Sequence, residues 1–279
     1  MNNALIPGVP VTLAEDVVRL IAPNPGMMTG PGTNSYLLGH GDVMVVDPGP
    51  AIESHVDALC NCADGEIRYV LVTHTHSDHS PAARLLAERC GAQLLGRPAP
   101  AGRHQDAGFL PDRVLQDGDV ISAGGSTLRV FHTPGHASNH LCFLRESDGL
   151  LFTGDHVING STVVIDPPDG NLVDYLASLA RLRQAALQAI APGHGDLLED
   201  PHAAIDWIIE HRLQREAGIA TALQANPGVT SMELTLVVYT DVGQHLHPVA
   251  ERSLLAHLLK LQADGRAECV EQRWRYRSG

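Results

Sequence analysis

The chain has 279 residues, of which 44% are hydrophobic and 18% charged, with 27 Gly and 18 Pro; this balance excludes long disordered, collagen-like and coiled-coil architectures and leaves room for one large domain or one large and one small. No apolar run approaches the roughly 20 residues of a membrane-spanning helix, and Met1 to Pro10 has neither a basic region nor an apolar stretch of signal-peptide length, so a cytoplasmic product with no membrane partner is expected. The net charge of −13 is uneven: residues 1–202 hold 11 Lys plus Arg against 23 Asp plus Glu, residues 203–279 hold 8 against 9.

In chain order, β-branched runs predict strands at Val43–Asp47, Tyr69–Thr73, Thr127–His132, Leu141–Leu144 and Leu150–Phe152. Ser80 as N-cap, Pro81 at the first helical position and Gly91 as stop predict a helix over Ser80–Cys90. Leu176, Leu179 and Leu182 at helical spacing predict another from Asp174 to Gln188. Strands mixed with helices argue a layered α/β domain with its chemistry at strand ends. Near Asp200 the character changes. A long helix runs from Asp200-Pro201 to about Gln224, Asn226-Pro227-Gly228 breaks it, and Thr230 to Glu233 fits a capping box. A further helix spans about Pro248 to Ala263, and Arg266–Val270 with Arg273–Arg277 makes a hairpin. Helices closed by a small hairpin describe a winged-helix appendage, which divides the chain into residues 1–202 and 203–279.

Five Cys without zinc-ribbon spacing exclude a disulfide framework or a Cys-based metal site, and Cys60-x-Cys62 reads as coincidence. Histidine is the informative residue, with 16 His against 11 Phe, Trp and Tyr. Thr73-His74-Thr75-His76-Ser77-Asp78-His79-Ser80 follows a strand directly and sets four metal-competent side chains within six residues. Neutral imidazoles and a carboxylate suit zinc, and also iron or manganese. His136 after Thr133-Pro134-Gly135, Asp155 after Thr153-Gly154, and His194 between Gly193 and Gly195 each close an apolar segment beside glycine. Together they make seven donors, the number two metals need when one carboxylate bridges them.

The order Asp47, His-x-His-x-Asp-His, His136, Asp155, His194 resembles the five motifs of the metallo-beta-lactamase superfamily. Gly32-Thr33-Asn34-Ser35-Tyr36-Leu37, Phe152-Thr153-Gly154-Asp155, Asp174-Tyr175-Leu176-x-Ser178-Leu179, Ala191-Pro192-Gly193-His194-Gly195, His211-Arg212 and the winged-helix tail narrow the resemblance to the beta-lactamase-like protein two family, over nearly the whole chain. The resemblance implies a four-layer αβ/βα sandwich. It implies two zinc ions, one on His74, His76 and His136, the other on Asp78, His79 and His194, with Asp155 bridging and Asp47 orienting the ligands. Asp155 stands where zinc beta-lactamases carry a Cys, and His76 where flavodiiron oxidoreductases carry a Glu, which argues against both activities.

The chemistry expected is hydrolysis by a metal-bridging hydroxide with no protein nucleophile, because metal-bound water has a pKa of about 7. Asp78 is the candidate to help position that hydroxide, with Asp155 the other carboxylate at the reacting centre. His140 is a candidate donor behind His136. The substrate expected first is a small thioester or ester. Single-stranded RNA is the alternative, invited by the winged helix and Arg273-Trp274-Arg275-Tyr276-Arg277, although that alternation also describes a strand with one packed face, and a single lysine, Lys260, is few for a phosphate binder. A third reading is a nucleic-acid-binding module with a structural metal. Seven donors exceed the four such a site uses. The C-terminal domain fits a lid or an oligomer interface as readily as a nucleic-acid platform.

Overall fold

The computed structural model describes residues 5–102, 104–240 and 242–277; of the chain start read above for a leader, residues 1–4 lie outside this set. Seven strands, β1 (Val11–Ala14), β2 (Val17–Ile21), β3 (Asn34–Leu38), β4 (Gly41–Val46), β5 (Gly65–Leu71), β6 (Gln93–Gly96) and β7 (Arg113–Val114), form one sheet in sequence order. Pairing is antiparallel as far as β4 and parallel from β4 to β7. The first two parallel steps, β4 to β5 and β5 to β6, are bridged by α1 (Glu53–Cys62) and α2 (Ala82–Cys90), as βαβ crossovers require.

The second sheet runs β12 (Ala189–Pro192), β11 (Leu150–Gly154), β10 (Leu141–Arg145), β9 (Ser126–His132), β8 (Val120–Ala123). Helix α3 (Leu172–Leu182) connects its one parallel pair, β11 and β12.

Alternation along the strands builds the layers. Met44 and Val46 point into the cluster between the sheets with Leu141 and Phe143 from β10. Val43 and Val45 point the other way, onto Val56 and Leu59 of α1 and Leu86 of α2. On the far side, Cys142 and Leu144 meet Tyr175, Leu179 and Leu182 of α3. The order helices, sheet, sheet, helices is the four-layer sandwich, and each buried aliphatic side chain contributes about 2 kcal/mol by leaving water.

Helix α4 (Pro201–Ala225) is capped by Asp200, whose side chain accepts from Ala203 N. Its start packs on the sandwich through Ile205 and Ile208; its end, with Ile219 and Leu223, enters a separate core with α5 (Ser231–Val238), α6 (His247–Ala263) and the hairpin β13 (Ala267–Val270), β14 (Arg273–Tyr276). A division at residues 202/203 therefore falls inside one continuous helix. The Thr230–Glu233 capping box is present in both directions. In β14, Trp274 is buried while Arg273 and Arg275 are exposed, so the basic-aromatic alternation is a strand with one packed face.

Two local expectations shift. Ser80 does not cap α2: its hydroxyl donates to Asp106 Oδ2 at 2.8 Å, a carboxylate brought by the 104–109 loop, and the helix starts at Ala82. Helix α3 begins at Leu172, not Asp174, because Asn171 accepts from Val173 N and Asp174 N, and it stops at Leu182, not Gln188. Among the described residues, no helix is long and apolar enough to cross a membrane.

Candidate active site

Strand ends converge on one edge of the sandwich. Asp47 follows β4, the His74–His79 run follows β5, His136 comes four residues after β9, Asp155 follows β11 and His194 comes two residues after β12. Open α/β sheets collect ligands outside the carboxyl ends of their strands. Asn34 of β3 ties the sheets together there, its backbone N–H donating to Gly193 O at 2.8 Å and its side chain to the carbonyls of Pro192 and Gly195 at 2.9 Å. The close approach needs glycine: a Cβ on Gly193 would lie 2.7 Å from His79 Cε1 and 2.8 Å from Asp155 Oδ1.

The structure brings all seven sequence-selected donors together. His74, His76 and His136 form one trio, and Asp78, His79 and His194 another; a third, His74, His79 and Asp155, overlaps both, and within each trio the donor atoms lie within 4.8 Å of one another. Asp155 faces both sides. Its Oδ1 lies 3.4 Å from His79 Nε2 and 3.3 Å from His194 Nε2, its Oδ2 3.7 Å from His136 Nε2. Asp78 Oδ2 lies 3.3 Å from His194 Nε2.

The far ring nitrogens are anchored outward. His136 Nδ1 meets the Val164 carbonyl at 2.7 Å, His194 Nδ1 the Gly32 carbonyl at 3.2 Å, and His79 Nδ1 meets Asp47 Oδ2 at 2.8 Å. Thr73 Oγ1 donates to Asp47 Oδ2 at 2.7 Å and so is free to accept from His74 Nδ1 at 3.0 Å. In the neutral ring, each contact to an acceptor leaves the inner nitrogen with a lone pair aimed at the cluster.

There the lone pairs lack donors. His76 Nδ1 is approached at 2.9 Å by both His74 Nε2 and His136 Nε2, and one proton can serve only one of them. Burial holds His74 well below the ordinary histidine pKa and His76 down to about 3, so both rings are neutral. Burial also disfavours charge on His79, but the carboxylates of Asp155, Asp78 and Asp47 outweigh it and drive that pKa well up. Asp78 is held down to about 2: burial opposes this, and His79 and His194 overcome it. His79 Nε2 and Asp155 Oδ1 are both buried without a hydrogen-bond partner. Five imidazoles and two carboxylates, with inner nitrogens lacking donors, fit divalent cations in donor chemistry.

Asp47 is 2% exposed and holds a left-handed backbone (φ 50°), a strained conformation for a residue other than glycine. That conformation aims its carboxylate at Thr73 N, Thr73 Oγ1 and His79 at once. His140 is different: its Nδ1 meets Thr133 Oγ1 at 3.0 Å and its ring stacks on His74 at 4.9 Å, so it packs behind a donor instead of hydrogen-bonding to one. Sequence reading missed the role of Thr73 and the carbonyls of Gly32 and Val164. Backbone acceptors leave no residue-type signal.

A cavity of about 640 Å³ opens from Asp78, His136, Asp155 and His194 toward the C-terminal helices. Its walls include Met27, Met28, Ile158, Val163, Leu246 and Val249, and among the described residues no Lys or Arg lines it. A second cavity, of about 420 Å³, shares Met28, Asp78 and Val249 and is lined on its polar side by Gln105, Asp166, Asp169 and Arg252; Arg252 pairs with Asp166 at 3.0 Å.

Comparison with known proteins agrees with this architecture. Residues 28–198 match the model of the metallo-beta-lactamase superfamily, and residues 230–274 that of the beta-lactamase associated winged helix domain. A Drosophila melanogaster protein named beta-lactamase-like protein 2 homolog is 31% identical over 277 residues, covering 94% of this chain and 93% of its own. An Aspergillus fumigatus protein named atrochrysone carboxyl ACP thioesterase is 31% identical over 242 residues, 81% and 74% of the two chains. Among solved structures, a beta-lactamase domain protein from Burkholderia ambifaria superposes with a TM-score of 0.85 at 23% identity, covering 99% of this chain and 96% of that one. Fold, site chemistry and relatives together place the chain, with its winged helix domain, in the metallo-beta-lactamase superfamily of hydrolases, beside the relatives named beta-lactamase-like protein 2 homolog.

Proposed function

We propose that this hydrolase cleaves thioesters or esters of apolar acyl groups. His74, His76 and His136 would hold one zinc ion and Asp78, His79 and His194 a second, with Asp155 the carboxylate within reach of both; iron or manganese would accept the same donors. Bound cations supply a Lewis acid for the attacked carbonyl and acidify water near neutral pH. The chain does the rest. Asp78 lines both cavities and stays ionised, so its carboxylate accepts a hydrogen bond from the attacking water and orients it. Asp47 fixes the His79 ring through Nδ1. The residues divide as a catalytic unit, 1–202, and a winged-helix-like unit, 203–279, which share α4.

The observation that carries this reading is the larger cavity, continuous with the His/Asp cluster: its walls are mostly apolar, and among the described residues it has no Lys or Arg. An acyl chain gains free energy there by leaving water. A polynucleotide would need cations along its phosphates. Two of the tail's arginines have partners within it, Arg273 donating to the Gly228 carbonyl and Arg277 lying 3.5 Å from Glu268. The relative named as an acyl-carrier thioesterase supports the same class.

The test is to assay the zinc-loaded protein and Asp155→Ala against acetyl, hexanoyl and decanoyl thioesters of N-acetylcysteamine and against single-stranded RNA. Thioester cleavage that improves with acyl length and drops about 1000-fold in the variant, ~4 kcal/mol of barrier, is expected. RNA cleavage without thioester cleavage, or full activity in the variant, would overturn the reading.

A further inference from the structure

Arg212 of α4 is 5% exposed, and its guanidinium forms no ion pair among the described residues, with Nε buried and unpartnered. A buried, unpaired charge is costly to keep, so its surroundings matter. Its Nη2 donates to the Val163 carbonyl, and the next carbonyl along, Val164, is the one that meets His136 Nδ1. The guanidinium also lies over the Tyr175 ring, 5.6 Å from its centre. Tyr175 in turn touches both flanks of the cluster. Its hydroxyl donates to the His156 carbonyl, next to Asp155, at 2.8 Å. Its backbone sits so close to Gly135, next to His136, that a Cβ there would lie 2.4 Å from Tyr175 Cα. From α6, Arg252 reaches the same loop through Asp166, two residues after Val164.

We infer that Arg212 and Arg252 are positioning residues for His136: the C-terminal helices clamp the 163–166 segment so that the Val164 carbonyl holds the His136 ring with Nε2 toward the cluster. The winged-helix unit is thereby part of the active site's frame. This rests on the assignment of His136 as a metal donor, and it assigns the C-terminal domain a role that does not depend on nucleic acid. Neither arginine touches the cluster, so the effect passes through the loop. Partners one step behind a ligand, as the Val164 carbonyl is, commonly change metal affinity by about 10- to 100-fold, and Arg212, one step further out, falls at the low end of that range.

The experiment is a cobalt(II) titration of the full-length protein, read by the visible ligand-field spectrum, on the parent, Arg212→Met, Arg212→Lys and Arg252→Ala. Arg266→Met serves as control, because it breaks an ion pair with Glu216 remote from the cluster. Arg212→Met is expected to weaken binding of one of the two ions about 10-fold and to alter its spectrum. Arg212→Lys recovers part of the loss, Arg252→Ala shifts the same ion by a smaller factor, and the control lowers only the melting temperature. Should Arg212→Met fail to fold, Arg252→Ala decides alone. Parent-like affinity and spectrum in every folded Arg212 and Arg252 variant would overturn the clamp while leaving the metal assignment standing, whereas a parent that binds no cobalt would overturn both.

Discussion

Asp47 Oδ2 lies 2.8 Å from His79 Nδ1, and the same carboxylate takes Thr73 N and Thr73 Oγ1, each at 2.7 Å. One strained residue at the end of β4 thus sets the ring of a donor that reaches the site from the loop after β5. Asp47→Asn keeps the size and tolerates the left-handed backbone, but it weakens the acceptor behind His79. Zinc affinity, measured against a competing chelator, should fall about 10- to 100-fold with the melting temperature of the metal-free protein little changed. Unaltered affinity would show that Asp47 serves only the backbone at Thr73.

Gly193 is fixed by space. Adding one methyl group places carbon 2.7 Å from His79 Cε1 and 2.8 Å from Asp155 Oδ1, closer than any real contact. Gly193→Ala should therefore retain its circular dichroism spectrum and lose activity by about 100-fold or more, ~3 kcal/mol of barrier. Parent-like kcat/KM would mean that His79 and Asp155 can move apart freely.

Leu246, half-buried at the start of α6, lines the larger cavity and not the smaller one. Leu246→Trp should fill that space. Rates on a decanoyl thioester should fall about 10-fold, consistent with losing one to two buried methylenes' worth of contact, while rates on the acetyl thioester hold. Equal losses on both substrates would move the acyl group out of this cavity.

Acid stability has a traceable source in His257, buried in α6 with both ring nitrogens unpartnered. Burial, aided by Arg212, Arg215, Lys260 and His211, pushes its pKa down to about 3. The unfolded chain protonates this ring near pH 6.5 and the folded chain does not, so its contribution is full above 6.5 and is lost as the pH falls toward 3. At pH 5 the loss is on the order of 2 kcal/mol. His257→Leu should flatten the fall in denaturation midpoint between pH 7.5 and pH 5, and an unchanged slope would place the acid sensitivity elsewhere.

How much of this was legible depends on whether the information sat in side chains. The donors of the cluster stand out because histidine and aspartate bunch beside glycine at strand ends, and Asp47 announces itself before Pro48-Gly49. The orienting carbonyls of Gly32 and Val164 are set by tertiary placement and carry no residue signature. Strands β1 to β3 were not read from the pattern: Asn34–Leu38 is buried on both faces and mixes polar with apolar residues. Cys60 and Cys90 likewise meet at 3.3 Å between α1 and α2, a proximity that a sequence separation of 30 conceals. The basic tail is legible in the pattern itself: alternation already describes a strand with one packed face, and Trp274 is buried while Arg273 and Arg275 face solvent.

The most direct measurement is anomalous diffraction from zinc-loaded crystals. The account predicts two peaks about 3.5–4 Å apart, as in two-metal sites, one among His74, His76 and His136, the other among Asp78, His79 and His194, with Asp155 between them. A single peak, or none at saturating zinc, would contradict it.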